Sequence, residues 1–577
     1  MNGARPLRWA LGACAAAALL FFWTGQSDAY GSPRLAALAL TAALAWSALW
    51  TRPGWRRTPL DAPLAGCLAA YLASIAVSAD PFLGVVGMYS LHTYGLAGFA
   101  LCAAVYLACA WSDEPDQPDR LLLSALWAAS ASAVYGLLQK LGLELFAGVR
   151  ASGSGRLIGP QGDPVPFGAC LLLFIPVAAH FWRDPAPSRR AAGRVGGALV
   201  AAALALTVSR GAWLGAAAGL AVYLWLVSPA VSRRRWLLAI ALGAAGAVAA
   251  AALLRPTAKA SDSARLALWE SVARSVPRHP WLGEGPDTVQ SIVRRERTDA
   301  FIRALGPSKT QVSAHNDLLQ IAATMGLAGL AAYLWLLLGA WRCVSAALKD
   351  GRHRSSAAAI AGSLAGLFVQ AKVNPVPLEA MVLAALFLGL CARGAPRPAR
   401  VLPLKLAAGG ACAAVFVLGL WLCRADRQFL RARSYEAAGR PAPALKAYRA
   451  AVSLNPYEFH YRLNAARYTV SLAVANPNAE VRLALIEEAV ESGREGVRRR
   501  PALADGFAML GSYLLLAGAH GAPPRLDEAA PALDSALERD PSLPALLENR
   551  MKLAQAVGDA PRAEALRARL EVVTANR

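Results

Sequence analysis

Long apolar runs constrain this chain more than any other feature of its sequence. A helix needs about 20 mostly apolar residues to cross the hydrocarbon core of a bilayer. Only 17% of the 577 residues are charged, against about 25% in ordinary soluble domains. The composition excludes a disordered chain and argues against a purely soluble one. Thirteen candidate runs precede position 424, at roughly 7–23, 35–50, 60–79, 87–111, 121–139, 166–182, 195–209, 211–228, 236–254, 316–341, 355–371, 377–392 and 404–423.

The runs predict an all-α fold that begins with a polytopic transmembrane helix bundle of about 12–14 spans. Basic residues between the runs predict its orientation, because Lys and Arg are enriched in cytoplasmic loops. With a cytoplasmic N-terminus, six basic segments fall together on the cytoplasmic side. These segments contain Arg5 and Arg8; Arg52, Arg56 and Arg57; Arg183, Arg189, Arg190 and Arg194; Arg233, Arg234 and Arg235; Arg342, Lys349, Arg352 and Arg354; and Arg393, Arg397 and Arg400.

One loop on that side is acidic, with Asp113, Glu114, Asp116 and Asp119, but acidic residues influence topology little. The net charge of +22 is thus largely a membrane-topology signal, and no nucleic-acid partner is expected. All nine cysteines lie in or at the edges of apolar runs. Neither a disulfide framework nor a zinc site is therefore predicted.

The orientation predicts two domains. Residues 1–423 form the membrane domain, with a large polar loop at 255–315 on the outer side. An odd number of spans carries residues 424–577 to the same side as that loop. The loop has ten basic and six acidic residues, a surplus of +4. An anionic ligand would explain this surplus, and a solvated surface is the alternative.

The C-terminal domain shows a recurring helical pattern. Apolar residues at helical spacing across 435–456 end at Asn455-Pro456, and related stops follow at Arg500-Pro501 and Asp540-Pro541. This pattern resembles degenerate tetratricopeptide (TPR) repeats, which stack into a solenoid with a concave binding face. It predicts a soluble TPR-like α-solenoid that binds a protein partner and is separable from the membrane domain. A stabilising appendage without a partner is the alternative.

Short polar motifs occur in a distinctive order around the polar loop. An ionisable residue at membrane depth, as Arg210 would be, usually faces a functional cavity, and snorkelling from a helix end is the alternative. In chain order the motifs are Arg156-Leu-Ile-Gly-Pro-Gln-Gly-Asp163-Pro164, Ser209-Arg210-Gly211, Arg265-x-x-x-Trp269, His279-Pro-Trp-Leu-Gly-Glu-Gly285, Ser313-Ala-His315-Asn316-Asp317 and Met325-Gly326.

This order is similar to that of the O-antigen ligase family of bacterial envelope glycosyltransferases, which includes polymerase-like and protein-glycosylating members. The resemblance runs from about Arg156 to about Gly329. One segment departs from it, because Asp163-Pro164-Val165 stands where the family often has Asn-Pro-Asn. No direct role is therefore assigned to Asp163.

The resemblance implies transfer of a glycan from a polyprenyl pyrophosphate to an acceptor hydroxyl. It implies a multi-pass protein of the bacterial inner membrane with a periplasmic C-terminal domain. Its partners would be the lipid-linked glycan, the membrane lipids, and a lipid, glycan or protein acceptor. No cofactor is expected and catalysis would be metal-independent, because the outer side shows no carboxylate cluster.

The resemblance also implies roles for particular residues. Arg210 and Arg265 would hold the pyrophosphate, because an arginine fork binds phosphate oxygens bidentately and stays charged. Arg156 is a third candidate. His315 would orient or deprotonate the acceptor hydroxyl, since an imidazole titrates near neutral pH. Asn316 and Asp317 would bind the substrate beside His315, and they would orient the His315 ring.

Several functions stay open at this point. An O-antigen ligase, a polysaccharide polymerase and a protein O-oligosaccharyltransferase share the motif plan. A transporter or lipid flippase would need charged residues along several spans, and the apolar runs are nearly free of them. A non-catalytic scaffold for the repeats would need far fewer spans.

Overall fold

The computed structural model describes residues 4–50, 55–112, 117–146, 155–229, 232, 234–235, 238, 258–351, 353–392, 396–397 and 402–575. Every element longer than three residues in these ranges is an α-helix, as the sequence predicts. An antiparallel two-residue ladder joins two loops, β1 (Trp55–Arg56) and β2 (Pro396–Arg397).

The first ten helices follow the predicted apolar runs, except that α4 lies between the runs at 60–79 and 87–111. Most of their buried side chains share one core, which also takes in helices from beyond the polar loop. In chain order they are α1 (Ala4–Leu20), α2 (Gly31–Leu49), α3 (Asp61–Val77), α4 (Pro81–Val86), α5 (Leu96–Ala110), α6 (Gln117–Lys140), α7 (Pro164–Leu172), α8 (Phe174–Trp182), α9 (Pro187–Leu206) and α10 (Arg210–Val227).

The polar loop folds into three helices, α11 (Ala258–Ala273), α12 (Val289–Glu296) and α13 (Asp299–Leu305). They share a small core of their own, to which α14 (Asp317–Lys349) contributes Ala323. The bundle is completed by α15 (Arg354–Ala371), α16 (Leu378–Cys391) and the first part of α17 (Leu402–Ala437).

Six segments of the described residues are long and apolar enough to cross a membrane, so the chain is a multi-pass membrane protein. They are Gly31–Leu49, Pro118–Lys140, Pro164–Trp182, Arg210–Val227, Asp317–Lys349 and Pro403–Ala437. Helices α3, α5 and α16 are apolar but shorter.

Two of the predicted runs differ from the helices in detail. The run at 87–111 is helical only in α5, because residues 87–95 form a loop whose backbone bonds partly to tertiary partners: the Met88 amide donates to Asp287 at 2.6 Å. The run at 166–182 is divided into α7 and α8 at Leu173. The run predicted at 236–254 lies outside the described residues, apart from Leu238.

Helix α14 is broken at Gly326, whose φ of 65° and ψ of −164° are not helical. A break inside a membrane helix must be repaired by other partners, because the bilayer offers no water for the freed backbone groups. The turn at 280–285 supplies them. Its Pro280 carbonyl accepts from Leu327 N at 2.8 Å, and Gly285 N donates to the Thr324 carbonyl at 2.9 Å.

Two glycines make this insertion possible. A Cβ on Gly283 would lie 2.3 Å from the Thr324 carbonyl carbon, and one on Gly326 would lie 2.4 Å from the Trp281 carbonyl carbon. The two backbones therefore meet at a distance that no side chain permits. Gly283 and Gly326, which lie in the motif segments 279–285 and 325–329, thus allow the polar loop to bind the bundle at close range.

Helix α17 is continuous across the predicted boundary at 423/424 and leads into the C-terminal helices. Consecutive helices there pack on one another as a TPR-like solenoid, around two cores of alanine, leucine and aromatic residues. They are α18 (Pro441–Leu454), α19 (Phe459–Ala475), α20 (Ala479–Arg499), α21 (Ala504–Ala519), α22 (Leu526–Arg539), α23 (Pro544–Ala556) and α24 (Ala560–Ala575).

The break in α14 predicts different outcomes for two glycine substitutions. Gly326→Ala should lower the free energy of unfolding by about 1–3 kcal/mol from backbone strain alone, because this φ/ψ region is essentially restricted to glycine. Gly410→Ala in α17 is the matched control, since its Cβ would meet nothing within 4 Å. The measurement is the thermal unfolding midpoint of each variant in detergent. Equal midpoints would show that residue 326 is not conformationally restricted.

Candidate functional site

His315 lies in a tight turn that leads into α14. Its φ is 54°, a left-handed value that a non-glycine residue holds only when the surroundings enforce it. Three hydrogen bonds do so here. His315 N donates to Ser313 Oγ at 3.1 Å, Ala314 N donates to Gln320 Oε1 at 2.8 Å, and Trp269 Nε1 donates to the Ala314 carbonyl at 2.9 Å.

The R-x-x-x-W pattern is explained by this turn. Arg265 and Trp269 lie four residues apart on α11 and so share one face of that helix. Trp269 binds the backbone next to His315, and Arg265 lies one turn away on the same face. The Arg265 Nη2 donates to Asn374 Oδ1 at 3.3 Å. The helix therefore places the Arg265 cation close to the His315 ring.

Asn316 and Asp317 have partners other than His315. Asn316 Oδ1 caps α14 by accepting from Leu319 N at 3.1 Å. Both Asp317 oxygens accept from Lys372 Nζ at 2.6 Å, and Tyr333 Oη donates to Asp317 Oδ2 at 2.6 Å. Both residues hold the start of α14 in place, so their effect on His315 is exerted through the backbone.

Arg210 is the first residue of α10 and follows a strained turn at Val208, whose φ is 48°. Arg156 braces that turn. Its Nε donates to the Thr207 carbonyl at 2.8 Å and its Nη2 to the Val208 carbonyl at 3.3 Å. The resemblance makes Arg156 a third phosphate-binding candidate, and these contacts indicate that it also fixes the backbone from which Arg210 projects.

Asp163, to which the sequence assigns no direct role, caps a helix. Its Oδ1 accepts from Val165 N at 2.8 Å, and Pro164 occupies the first turn of α7. Asp followed by Pro is a favourable helix start, because the carboxylate satisfies a free amide and proline has no amide to satisfy.

The segment after α15 joins the separate motifs, and the sequence reasoning missed it. Asn374 is 3% exposed and binds Arg265 as described above. A Cβ on Gly211 would lie 2.2 Å from Asn374 Nδ2, so the same amide packs against the first turn of α10 beside Arg210. Two residues earlier, Lys372 binds Asp317. The signal available in the sequence was a lysine and an Asn-Pro pair at the end of an apolar run.

Burial and a neighbouring cation change the acid–base behaviour of His315. Burial comes first and the charge of Arg265 second, and together they lower the pKa of His315 to about 4. The ring Nδ1 is buried and, among the described residues, has no hydrogen-bond partner. The imidazole is therefore neutral at physiological pH and can accept a proton.

Five of the ten basic residues of the polar loop form ion pairs, and two of these pairs are with the C-terminal helices. Arg274 pairs with Glu270, Arg278 with Glu296, and Arg295 with Glu284. Arg294 and Arg297 pair with Asp505 and Asp540 of the C-terminal helices. The loop as a whole is therefore a poor candidate for an anion-binding surface, and the argument for an anion rests instead on the cation beside His315.

An apolar cavity of about 320 Å³ reaches the same region from within the bundle. It lies between α3, α5, α14, α15 and α16, and its polar side chains include Tyr94, Asp317 and Tyr333. Its lining on α14 extends from Asp317 to Ala340, which at ~1.5 Å per helical residue corresponds to roughly 35 Å. The cavity thus runs along most of α14 and reaches Asp317, two residues after His315.

Comparisons with known proteins agree with the motif order. Residues 195–334 match the family described as O-antigen ligase, which confirms the resemblance for this segment and supports a membrane glycosyltransferase-like role. The matched segment includes Arg210, Arg265 and His315, whereas Arg156, Lys372 and Asn374 lie outside it. A comparison with curated proteins finds no match.

Among solved structures, a thermophilic TPR protein from Thermus thermophilus is similar at 20% identity, covering 30% of this chain and 86% of that one, with a TM-score of 0.22. A TM-score this low does not establish a shared fold. The description of the C-terminal helices as a solenoid therefore depends only on how these helices pack in this chain.

The lowered pKa predicts how His315 reacts with diethyl pyrocarbonate, which modifies neutral imidazole. At about pH 5.5, where an ordinary histidine is mostly protonated, His315 should still react. Arg265→Gln removes one cause of the shift, so the midpoint should move to higher pH, whereas Arg274→Gln on the exposed side should not move it. Mass spectrometry of the peptide containing residue 315, compared with the free peptide, measures the midpoints. A wild-type midpoint equal to that of the free peptide would contradict this assignment.

Proposed function

We propose that this protein transfers a glycan from a polyprenyl-pyrophosphate donor to an acceptor hydroxyl at the outer face of the bacterial inner membrane. The observation that carries the proposal is the junction at Asn374. It joins the first turn of α10, which bears Arg210, to Arg265, whose charge in turn acts on His315. Asn374 thus lies beside both the first turn of α10 and Arg265, and in this proposal the two arginines and the neutral imidazole act together near the end of the apolar cavity.

The donor would use both halves of this arrangement. Its polyprenyl chain would occupy the apolar cavity, whose lining on α14 begins at Asp317. Its pyrophosphate would then lie at the level of Arg210 and Arg265. The departing pyrophosphate is stable as an anion, so it needs positive charge more than it needs a proton. Two guanidinium groups supply that charge, and the transfer we propose is metal-independent.

The acceptor would be activated by His315. The acceptor oxygen forms a bond to the anomeric carbon while the bond from that carbon to the pyrophosphate oxygen breaks. The electron pair leaves with the pyrophosphate, and the hydroxyl proton passes to the neutral imidazole. A bound pyrophosphate would offset the charge of Arg265, which raises the pKa of His315 toward the range that a general base needs. Donor binding would therefore activate the base.

The proposal predicts a division of labour between the arginines and His315. Arg210→Ala and Arg265→Ala should each weaken donor binding about 10- to 150-fold, because each removes a charge-assisted contact of about 1.5–3 kcal/mol. Lysine should restore each only partly, since it lacks the planar fork. His315→Ala should leave donor binding near wild type and slow transfer about 10²- to 10⁴-fold. Donor binding and transfer are measured separately in purified, detergent-solubilised protein.

The matched control is Arg274→Ala, which removes a loop arginine from an exposed pair with Glu270. It should change neither quantity. Transfer by His315→Ala at the wild-type rate would remove the general base from the mechanism. Undiminished transfer by all three variants would contradict the glycosyltransferase itself.

The orientation of the chain is a separate prediction. Six basic loops on one side and an odd number of spans place residues 424–577 in the periplasm. Alkaline phosphatase fused after residue 430 should be active, and a fluorescent protein that folds only in the cytoplasm should stay dark there. The same fusions after Arg183, in the segment between α8 and α9 that is expected to be cytoplasmic, should give the opposite result. An inactive phosphatase and a fluorescent reporter protein after residue 430 would indicate that the solenoid lies in the cytoplasm.

A further inference from the structure

The X-Pro stops of the three repeats fall at equivalent points of the solenoid. Asn455, Arg500 and Asp540 each directly follow a helix, α18, α20 and α22, and each is buried. Because repeats stack in register, equivalent positions lie along one edge of a solenoid. We call Arg500, Asp540 and the adjacent Asp505 the docking edge, since all three reach beyond the solenoid.

One end of the docking edge binds the membrane domain. Arg500 donates from Nε to Asp80 Oδ2 at 2.7 Å, and its Nη2 binds the same oxygen. Both side chains are buried. Asp80 is the cap of α4 and accepts from Leu83 N through its other oxygen. The contact therefore fixes the solenoid against the loop between α3 and α4.

The rest of the docking edge binds the polar loop. Asp540 Oδ2 accepts from Arg297 Nη2 at 3.1 Å, and the two side chains are only 2% and 1% exposed. Arg297 also donates to the Pro307 carbonyl. One turn earlier, Arg294 pairs with Asp505 in the first turn of α21. The solenoid thus holds the polar loop at the junction between α12 and α13.

That segment is packed against the site. Ile292 and Val293 of α12 and Phe301 of α13 share a core with Leu268 of α11 and with Ala314. Leu268 lies beside Trp269, and Ala314 directly precedes His315. A shift of α12 and α13 would therefore be passed to Arg265 and His315 by close-packed side chains.

We propose that Asp505 and Asp540 are positioning residues of the catalytic site, which hold the polar loop so that Arg265 and His315 stand in reacting geometry. The solenoid is then part of the catalytic assembly, whereas the sequence alone favours a separable domain. A displacement of about 1 Å at reacting groups can slow a reaction on the order of 10²-fold, so small movements of the loop matter.

The test compares substitutions in the C-terminal helices of the full-length protein. Asp540→Asn leaves Arg297 buried without its charge partner, a strongly unfavourable state, so the loop should loosen. Asp534→Asn is the control. Asp534 lies on α22, which Asp540 directly follows, and its substitution breaks an ion pair with the buried Arg550 inside the solenoid. Asp505→Asn, at a more exposed pair, provides a milder variant that tests the proposal if Asp540→Asn does not fold. Asp540→Glu should restore function because it keeps the carboxylate.

Two readouts separate positioning from general stability. In hydrogen–deuterium exchange, residues 289–315 should exchange faster in Asp540→Asn and Asp505→Asn, and at the wild-type rate in Asp534→Asn. In kinetics, kcat should fall about 10- to 100-fold. The KM for the lipid-linked donor should rise less than it does in Arg265→Ala, because the Arg265 side chain is kept and the apolar cavity lies between membrane helices.

The kinetic readout rests on the proposed function, and the exchange readout does not. Unchanged exchange at 289–315 in both edge variants would overturn the inference whatever the enzyme does. Faster exchange with an unchanged kcat would also overturn it, because the loop would then be held without consequence for the site. An inactive wild-type protein would contradict the proposed function and leave the exchange readout to decide whether the edge holds the loop.

Discussion

Backbone N–H and C=O groups inside a bilayer must find hydrogen-bond partners within the protein, because no water is available there. The break in α14 shows how this protein meets that requirement. The turn at 280–285 supplies partners for the freed groups on both sides of Gly326. This arrangement joins the polar loop to a membrane helix by backbone hydrogen bonds. The short first part of α14 then extends from the break toward the loop and ends at the His315 turn. The position of the candidate site thus follows from a repair of helix geometry.

Several arginines of the loop are paired with carboxylates after folding, as Arg294, Arg295 and Arg297 are. Arg265 donates to the amide of Asn374, and its charge acts on His315. A net charge counted along the sequence cannot show which arginines are paired, because pairing depends on which carboxylates come within reach after folding.

The sequence predicts some residues of the candidate site and misses others. His315, Arg210 and Arg265 stand out by their order, and the structure brings them to one end of the bundle. Trp269 explains why the second motif has its spacing, since a residue four positions from Arg265 must reach the backbone at Ala314. Lys372 and Asn374 were missed, because a lysine or an asparagine at a helix end is usually no more than an interfacial residue.

Local rules acting within about 20 residues are enough to derive the all-α class, the helices and the repeat stops from the sequence alone. Apolar length, positive loops, Asp-Pro helix starts and X-Pro ends all operate at that range. The tertiary structure alone decided which charges meet. Arg297 and Asp540 are 243 positions apart, and Arg500 and Asp80 are 420 apart. No periodic sequence pattern predicts buried ion pairs of this kind. In the sequence each partner resembles an ordinary surface residue, and only folding removes water from both.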